Sequence, residues 1–527
     1  MAEKKRAKND GLMRAAGILV VANFMSSILG YVKNILITSL FGMGMQTDAY
    51  YAAFTIPDAI YTILVGGGIS SAFIPVFSGY LTRGEKKDAY RMASTVLNLV
   101  AIVVMIFCVI GEIFAPQLLP VIVDFSDGGT AFFNLTVKLT RIMFFQCFFM
   151  CLIGICVGIL QSYKKFTPSA LGSISYNLIM IVVGFMLYKA GLGIAGFSIG
   201  VVTGALVDLI IQATPVIRSE FEYKPVLDIK HPGVMKFLKL FWPMLLGVSV
   251  SQLNLIVNKY FGTTVGKNTL SYMQNAQSIM QLPINILGYS IAVSIFPTMV
   301  DHFSRGEIQH YKDDVSSGIR NVVFLTLPAS FGIIAVSRSL IRALYLQGRF
   351  SAGNVEILSE LLVFYCIGIV GYSVRQVVCQ GFYSIQETKI PVRINIFILC
   401  LNMVLSYLFV HIGGARGLAL AYSVSGLTSM TLLMFFLRRK IGGFHGREIL
   451  TSVVKCLISS SVMLVAVVLL DIVLTRVMPM SSKVYQFGEL LILLIFGICI
   501  YVLMALMLRM HELSAVIKVL KRKFLHR

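Results

Sequence analysis

The stretch GISSAFIPVFSGYLTRGE, residues 68–85, decides the fold because the chain repeats its pattern later. The second copy, YSIAVSIFPTMVDHFSRGE, occupies residues 289–307, and the two Arg-Gly-Glu tripeptides lie 222 residues apart. Further matching pairs are Phe41-Gly42 with Phe261-Gly262, Pro57 with Pro283, Gly158 with Gly381, Pro168 with Pro391, and Gly193-Ile194-Ala195-Gly196 with Gly414-Ala415-Arg416-Gly417. The chain therefore consists largely of two related halves.

The composition is that of a membrane protein with many spans. Hydrophobic residues make up 57% of the 527 and charged residues only 13%, whereas soluble domains carry about 25% charged residues. The net charge of +21 does not indicate nucleic-acid binding, because the basic residues form short clusters between apolar runs. A duplicated membrane bundle is typical of carriers, which bind their cargo between the two halves.

Apolar runs of about 20 residues, the length that crosses a bilayer as a helix, recur along the chain and predict fourteen spans. Basic clusters follow every even-numbered span, at residues 86–87, 164–165, 224–239, 305–312, 389–393, 438–440 and 518–527. The positive-inside rule therefore places both termini in the cytoplasm. Arg338, Arg342 and Arg349 are exceptions on the predicted outer side.

The repeat and the spans together predict an all-α domain organisation. It consists of a cytoplasmic N-terminal tail (1–11), an N-lobe of six spans (12–217), a cytoplasmic linker (218–233), a C-lobe of six spans (234–440), two further spans (441–510) and a basic cytoplasmic tail (511–527). Because six is an even number, both lobes enter the membrane from the same side. We therefore expect them to superpose about an axis along the membrane normal.

Spans 2 and 8 occupy equivalent positions in the two halves, and both contain helix-breaking residues. Pro57 and Pro75 lie in the second span, and Pro283 and Pro297 in the eighth. Proline removes a backbone donor, and such breaks persist in a membrane only where protein or a wet cavity covers the freed groups. Matched breaks indicate the transport path, although glycine and proline also serve helix packing in membranes.

Ionisable groups inside spans are costly and therefore mark interiors or cavities. Lys33, beside Asn34, and Arg375 are the two cations predicted to face one central cavity, although a lysine near a span end can also snorkel to the interface. Asp48 precedes the broken second span and can cap that helix. The residues expected to bind the substrate are Lys33, Asn34, Asp48, Ser271, Gln274, Ser278, Gln281 and Arg375. Asp208 and Asp471 are interpreted as interfacial because they lie near span ends.

The eighth span has an uncharged polar face. Ser271, Gln274, Ser278, Gln281 and Asn285 follow each other at steps of three and four residues. Such a face suits a hydroxyl-rich ligand such as a sugar, but it also suits hydrogen bonds between helices. No nucleotide-binding loop or catalytic constellation occurs in the sequence. We therefore expect no enzyme, metal or cofactor, and a driving force from the membrane potential, a monovalent cation, substrate supply or a partner.

Several motifs resemble those of the MviN/MurJ family. They are SILGYVKN at 27–34, FGMG at 41–44, TDAYYAAFTIP at 47–57, SSAFIPVF at 70–77, GVSVSQ at 247–252, Leu287-Gly288 and GFYS at 381–384. The resemblance covers all predicted spans. It implies the MOP exporter fold and a flippase that moves lipid II, the undecaprenyl-diphosphate-linked peptidoglycan precursor, across the bacterial cytoplasmic membrane.

The chain departs from the family pattern at positions that usually hold charged residues. Ser27 and Lys33 stand where the family has arginines, as do Tyr61-Thr62, and Gln277-Ser278 replaces an Asp-Arg pair. The cargo is therefore either lipid II in a rebuilt pocket or another polyprenyl-linked saccharide, such as a capsular, teichoic or exopolysaccharide unit. An antiporter of cationic drugs is less compatible, because membrane-embedded acidic residues are few. Membrane lipids and cell-wall synthesis proteins are the expected partners.

Overall fold

A computed structural model describes the backbone of residues 2–126, 128–477 and 482–513, and within these ranges the chain is almost entirely helical. The packing divides the chain into two compact units, Met1–Ser271 and Tyr272–Arg527. The helices that begin before the boundary and lie in the first unit are α1 (Ala2–Phe41), α2 (Met45–Ala53), α3 (Thr55–Tyr61), α4 (Ser70–Thr82), α5 (Lys86–Ile122), α6 (Gly129–Ser162), α7 (Thr167–Leu187), α8 (Ile194–Ile217) and α9 (Pro232–Thr264).

The next helix, α10 (Thr269–Pro283), begins in the first unit and continues into the second. The second unit then contains α11 (Ser290–Ser304), α12 (Ile308–Tyr345), α13 (Ala352–Cys366), α14 (Ile369–Ser384), α15 (Lys389–Ile441), α16 (Gly446–Val477) and α17 (Lys483–Met507). Three short π-helical segments interrupt the series, at Thr62–Ile69, Tyr188–Leu192 and Ile284–Tyr289.

Twelve helical stretches among the described residues are long and apolar enough to cross a membrane. One of them, Lys389–Ile441, contains Gly414 in a non-helical conformation and therefore corresponds to two of the predicted spans. The second predicted span is too fragmented to be among the twelve, and its longest apolar piece is Ala72–Thr82. With these two adjustments the helices account for the fourteen predicted spans.

The breaks predicted in spans 2 and 8 are present in the structure. The second span consists of α2, α3, the π-helical segment Thr62–Ile69 and α4, and the eighth consists of α10, the π-helical segment Ile284–Tyr289 and α11. A π-helical turn leaves backbone groups without their usual partners and is frequent at functional sites. Each unit thus carries one irregular span at the equivalent point of its repeat.

The duplication is also visible in the backbone angles. Gly193 has φ 58° and ψ −140°, and its counterpart Gly414 has φ 53° and ψ −129°. Lys164 and Gln386, which lie 222 residues apart, both adopt a left-handed conformation, with φ of 61° and 59°. This conformation is uncommon for residues with a side chain, so its recurrence at the same offset supports a common ancestry of the two halves.

The packing boundary differs from the lobe boundary predicted from sequence. Helix α9, the first span of the predicted C-lobe (234–440), lies in the first unit, where it packs against α4, α5 and the segment Thr62–Ile69. Phe237 on α9 makes an edge-to-face contact with Phe73 on α4, with ring centroids 6.5 Å apart. The superposition of residues 12–217 on 234–440 stays a prediction.

The two C-terminal helices are joined to α12 by polar contacts within the second unit. The Tyr501 hydroxyl donates a hydrogen bond of 2.8 Å to the Phe324 carbonyl oxygen. Arg342 forms an ion pair of 2.6 Å with Glu489, whose side chain is 0% exposed. Arg338 pairs with Glu356 at 3.0 Å. Two of the three arginines that depart from the positive-inside rule are therefore neutralised by partners in the fold.

Candidate substrate-binding site

A group of charged side chains lies within the first unit, on three different helices. Lys33 on α1 and Lys259 on α9 both interact electrostatically with the carboxylate of Asp58 on α3. The Lys33 ammonium lies 5.9 Å from the centroid of the Phe54 ring, and the Lys259 ammonium donates a hydrogen bond of 3.3 Å to Thr55 Oγ1. We call Lys33, Asp58 and Lys259 the lysine–aspartate site.

The local structure explains how these groups come together. Helix α1 is continuous through Lys33 to Phe41, so this lysine is held about 12 Å from the end of its helix, at 1.5 Å per residue. Asp58 lies in the first turn of α3, directly after Pro57. Both lysines are half-buried, whereas Asp58 is exposed. A span-buried lysine is costly, and the shared carboxylate offsets part of that cost.

The lysine–aspartate site carries a net charge of +1, from two ammonium groups and one carboxylate. Ammonium groups are compact point charges with three donors each, and they bind phosphate oxygens without imposing a fixed geometry. Such a site can accept a phosphate or diphosphate group, and the exposed position of Asp58 leaves it open to a ligand. The arrangement contains no nucleophile with an activating base, so it indicates binding and not covalent chemistry.

Asp48 has a different role from the one predicted. Helix α2 is capped by Gly44 and Thr47, whose side chain receives the Gly44 amide at 2.9 Å. Asp48 instead accepts a hydrogen bond of 2.9 Å from the backbone amide of Ser271 and another from the Ser271 hydroxyl. The prediction that Asp48 caps its own helix was therefore wrong, because the carboxylate stabilises the first turn of α10 within the first unit.

A cavity of about 150 Å³ adjoins Asp48. Its lining includes Asp124, Phe132, Thr263 and Lys267. Hydrogen bonds from Ser126 lower the pKa of Asp124, which lies in the connection between α5 and α6 outside the spans. The cavity therefore contains charged groups of both signs at one end of the unit.

In the second unit, Arg375 on α14 lacks an acidic partner among its hydrogen bonds. Its Nη2 donates to Asn395 Oδ1 at 2.9 Å, and its buried Nε has no hydrogen-bond partner in the part of the chain that the structure describes. Tyr372 and Tyr422 stack on each other nearby, with centroids 4.7 Å apart, and both interact electrostatically with the guanidinium. A span cation with an unused donor is suited to an anionic ligand. Whether it shares a cavity with Lys33 stays a prediction.

The polar residues of α10 are placed in different environments. Ser271 is buried against Asp48, and the Ser278 hydroxyl donates to the Gln274 carbonyl of its own helix at 2.7 Å. Gln274 is half-buried and Gln281 is exposed. Asn34 on α1 is 7% exposed. The polar face is thus partly used for packing in each unit, while Gln274 and Gln281 remain available to a ligand.

Sequence reasoning missed Asp58 and Lys259. Both were treated as the ends of apolar runs, because each follows or precedes a stretch without charge. The signal was present, since a carboxylate directly after Pro57 in a broken span is as unusual as a lysine in the first span. Asp208, which was predicted to be interfacial, is only 6% exposed on α8, and its depth in the membrane stays a prediction.

The comparisons with known proteins agree with this fold. The family described as "Lipid II flippase MurJ" matches residues 37–488. A probable lipid II flippase MurJ of Vibrio cholerae is 30% identical over 431 residues, covering 79% of this chain and 81% of that protein. The corresponding protein of Bdellovibrio bacteriovorus is 24% identical over 519 residues, with 98% and 97% covered.

Solved structures show the same fold. A lipid II flippase MurJ in an inward closed conformation superposes with a TM-score of 0.79 at 24% identity, covering 93% of this chain and 98% of that one. An inward-facing multidrug transporter of the MATE family, in the MOP superfamily, gives 0.65 at 15% identity, with 79% and 94% covered. This multi-pass membrane protein therefore belongs to the MurJ family of lipid II flippases.

Proposed function

We propose that the protein moves lipid II from the inner to the outer leaflet of the bacterial cytoplasmic membrane by alternating access. Membership of the MurJ family supports this cargo. The single observation in the structure that supports it most directly is the lysine–aspartate site, which places net positive charge inside a broken, membrane-spanning bundle. A diphosphate that crosses the bilayer centre requires such compensation, because burying an unpaired charge is very costly.

The remaining groups fit the other parts of the cargo. The unused Nε donor of Arg375 suits a second phosphate oxygen or a carboxylate of the peptide. Gln274 and Gln281 suit the hydroxyl and amide groups of the sugars. Bound lipid II would thus be recognised by point charges at the diphosphate and by neutral donors at the glycan.

A second cargo class is favoured by the residues that replace family arginines. Ser27, Tyr61 and Ser278 supply hydroxyl groups where the family pattern has cations. A flippase for another polyprenyl-linked saccharide would keep the diphosphate charges and change the groups that contact the sugars. The lysine–aspartate site serves either cargo.

Several properties follow from the proposal. Both termini lie in the cytoplasm, as the basic clusters predict. Transport draws on the membrane potential or on a monovalent cation. Proteins of cell-wall synthesis act on the cargo before and after transport, and we infer that they are the partners of this chain.

The experiment that tests the proposal is rescue of a bacterial strain depleted of its own lipid II flippase. We expect growth and normal lipid II levels when this chain is expressed, and lysis with accumulated lipid II when the Lys33→Met variant is expressed at equal level. A parallel strain, depleted of a flippase for a capsular or teichoic repeat unit, tests the second cargo. Rescue of only that strain would refute lipid II as the cargo.

A further inference from the structure

A second charged group of the first unit is not used by the site described above. Asp208 lies near the middle of α8 and is 6% exposed. Its Oδ1 accepts a hydrogen bond of 3.2 Å from Nε2 of Gln212, one turn further along the helix. Gln212 is 2% exposed, and its Oε1 atom has no hydrogen-bond partner among the described residues. A buried acceptor without a donor is unusual in proteins.

Helix α7 closes over this pair. A Cβ atom added to Gly172 would lie 2.0 Å from Asp208 Oδ1 and 2.5 Å from Gln212 Nε2, so the glycine backbone forms one wall of the site. Asp208 acts electrostatically on three titratable groups, Tyr61 on α3, Cys156 on α6 and Tyr176 on α7. None of these three is a cation, so the carboxylate is buried without a compensating positive charge.

The unpaired Gln212 Oε1 atom indicates that Asp208 binds a proton. An ionised carboxylate can only accept hydrogen bonds, and it therefore leaves Gln212 Oε1 unsatisfied. A protonated carboxyl also donates, and with a primary amide it can form a ring of two hydrogen bonds. One proton would thus remove the buried charge and supply the donor that Gln212 Oε1 lacks.

Asp58 and Asp208 share two phenol groups as electrostatic neighbours. Tyr61 and Tyr176 each interact electrostatically with both Asp58 and Asp208. Tyr61 is the last residue of α3, one turn after Asp58. Both rings also pack against the cluster of Met150, Ile153 and Ala205, and Ala205 lies three residues before Asp208 on α8.

We propose that Asp208 and Gln212 form a proton-binding site, and that its proton exchanges through Tyr61 and Tyr176 with Asp58. When the proton moves from Asp208 to Asp58, Asp208 becomes ionised and Asp58 neutral. Lys33 and Lys259 then face no carboxylate, and the charge of the lysine–aspartate site rises from +1 to +2. That charge matches a diphosphate, so proton position controls anion affinity. This coupling rests on the proposed function.

The first measurement does not depend on the cargo. Infrared difference spectra of the purified full-length protein, recorded between acidic and alkaline buffers, report the C=O stretch of protonated carboxyl groups. We expect a band from a shielded carboxyl that is lost in Asp208→Asn, which keeps the shape of the side chain. Gly172→Ala, which pushes a methyl group against Asp208 and Gln212, should shift the band. Asp471→Asn, whose carboxylate accepts from Ser339 at 2.7 Å, is the matched control and should keep it.

The second measurement is transport of a labelled undecaprenyl-diphosphate lipid in proteoliposomes at a series of pH values. Wild-type and Asp471→Asn proteins should show a pH-dependent rate, and Asp208→Asn a rate that no longer follows pH. A band unchanged in Asp208→Asn, or one that responds to Na⁺ and not to pH, would overturn the proton site. If Asp208→Asn loses the band but its transport rate still depends on pH as in the wild type, the coupling is overturned. Absence of transport by the wild-type protein would instead refute the proposed function, while the spectra still report on Asp208.

Discussion

The net charge of the lysine–aspartate site should determine its affinity for a diphosphate. A substitution that lowers this charge should weaken binding, and a second substitution that restores the charge should restore binding. Lys33→Met removes one of the two cations and leaves the site neutral. At a separation of about 6 Å and an effective dielectric constant of about 20, two unit charges interact by about 3 kcal/mol. Lys33 is half-buried, so solvent screening lowers this interaction to about 1.5–2.5 kcal/mol, or roughly 10- to 70-fold in Kd.

The assay is binding of a fluorescent undecaprenyl diphosphate to the purified protein, combined with rescue of a flippase-depleted strain. Asp58→Asn alone should tighten binding, and Lys33→Met combined with Asp58→Asn should restore it towards the wild-type value, because the net charge returns to +1. Lys33→Arg should be tolerated since it keeps the charge. Lys189→Met is the control, because Lys189 is an exposed lysine that lies over the Phe185 ring at 4.8 Å. Equal binding by wild type and Lys33→Met, or weaker binding by Asp58→Asn, would refute the charge argument.

Three further substitution sets test other parts of the molecule. Arg375→Met should abolish rescue while leaving normal amounts of protein in the membrane, whereas Arg375→Lys should retain part of it; a fully active Arg375→Met would show that its unused Nε does not meet the cargo. Arg342→Ala should lower the free energy of unfolding by about 3–5 kcal/mol, because it leaves the Glu489 charge buried without a partner. Arg338→Ala, which breaks an exposed pair, should lower it by less than about 1 kcal/mol. Thermal unfolding in detergent compares the two variants, and equal midpoints would contradict the reasoning. Cysteines placed at Gly128 and Lys224 should react with an impermeant reagent from outside and only after permeabilisation, respectively, and the reverse pattern would invert the topology.

Much of the fold follows from the sequence because a membrane restricts the possibilities. Every backbone group in lipid must be paired within the segment, so a long apolar run can only be a helix. The fragmented second span was predictable from Pro57 and the Gly66-Gly67-Gly68 run, and the structure places a π-helical segment there. The sequence also pairs Gly414 with Gly193, and the two glycines share nearly the same backbone angles.

The partners of the charged side chains could not be read from the sequence in the same way. Arg342 on the predicted outer side departs from the positive-inside rule, which counts charges in loops and takes no account of tertiary partners. Its partner is Glu489, which lies on a helix far along the chain. The same limit applies to Lys259, whose hydrogen bond to Thr55 depends on how α9 packs in the first unit. Hydropathy detects that a charge is costly, while tertiary packing decides which group offsets the cost.

The lysine–aspartate site differs physically from a site built of arginines, which the family pattern has in the first two spans. An arginine fixes a phosphate through two parallel hydrogen bonds, and its charge cannot be removed at accessible pH. Lysines around a carboxylate provide a charge that depends on whether that carboxylate holds a proton. The site formed by Lys33, Asp58 and Lys259 therefore gives up rigid geometry and gains a variable net charge. For a transporter this exchange is useful, because a cargo held too firmly in one leaflet is not released in the other. In the proposed transport cycle, the two lysines would therefore hold the diphosphate by charge alone and release it when Asp58 becomes ionised.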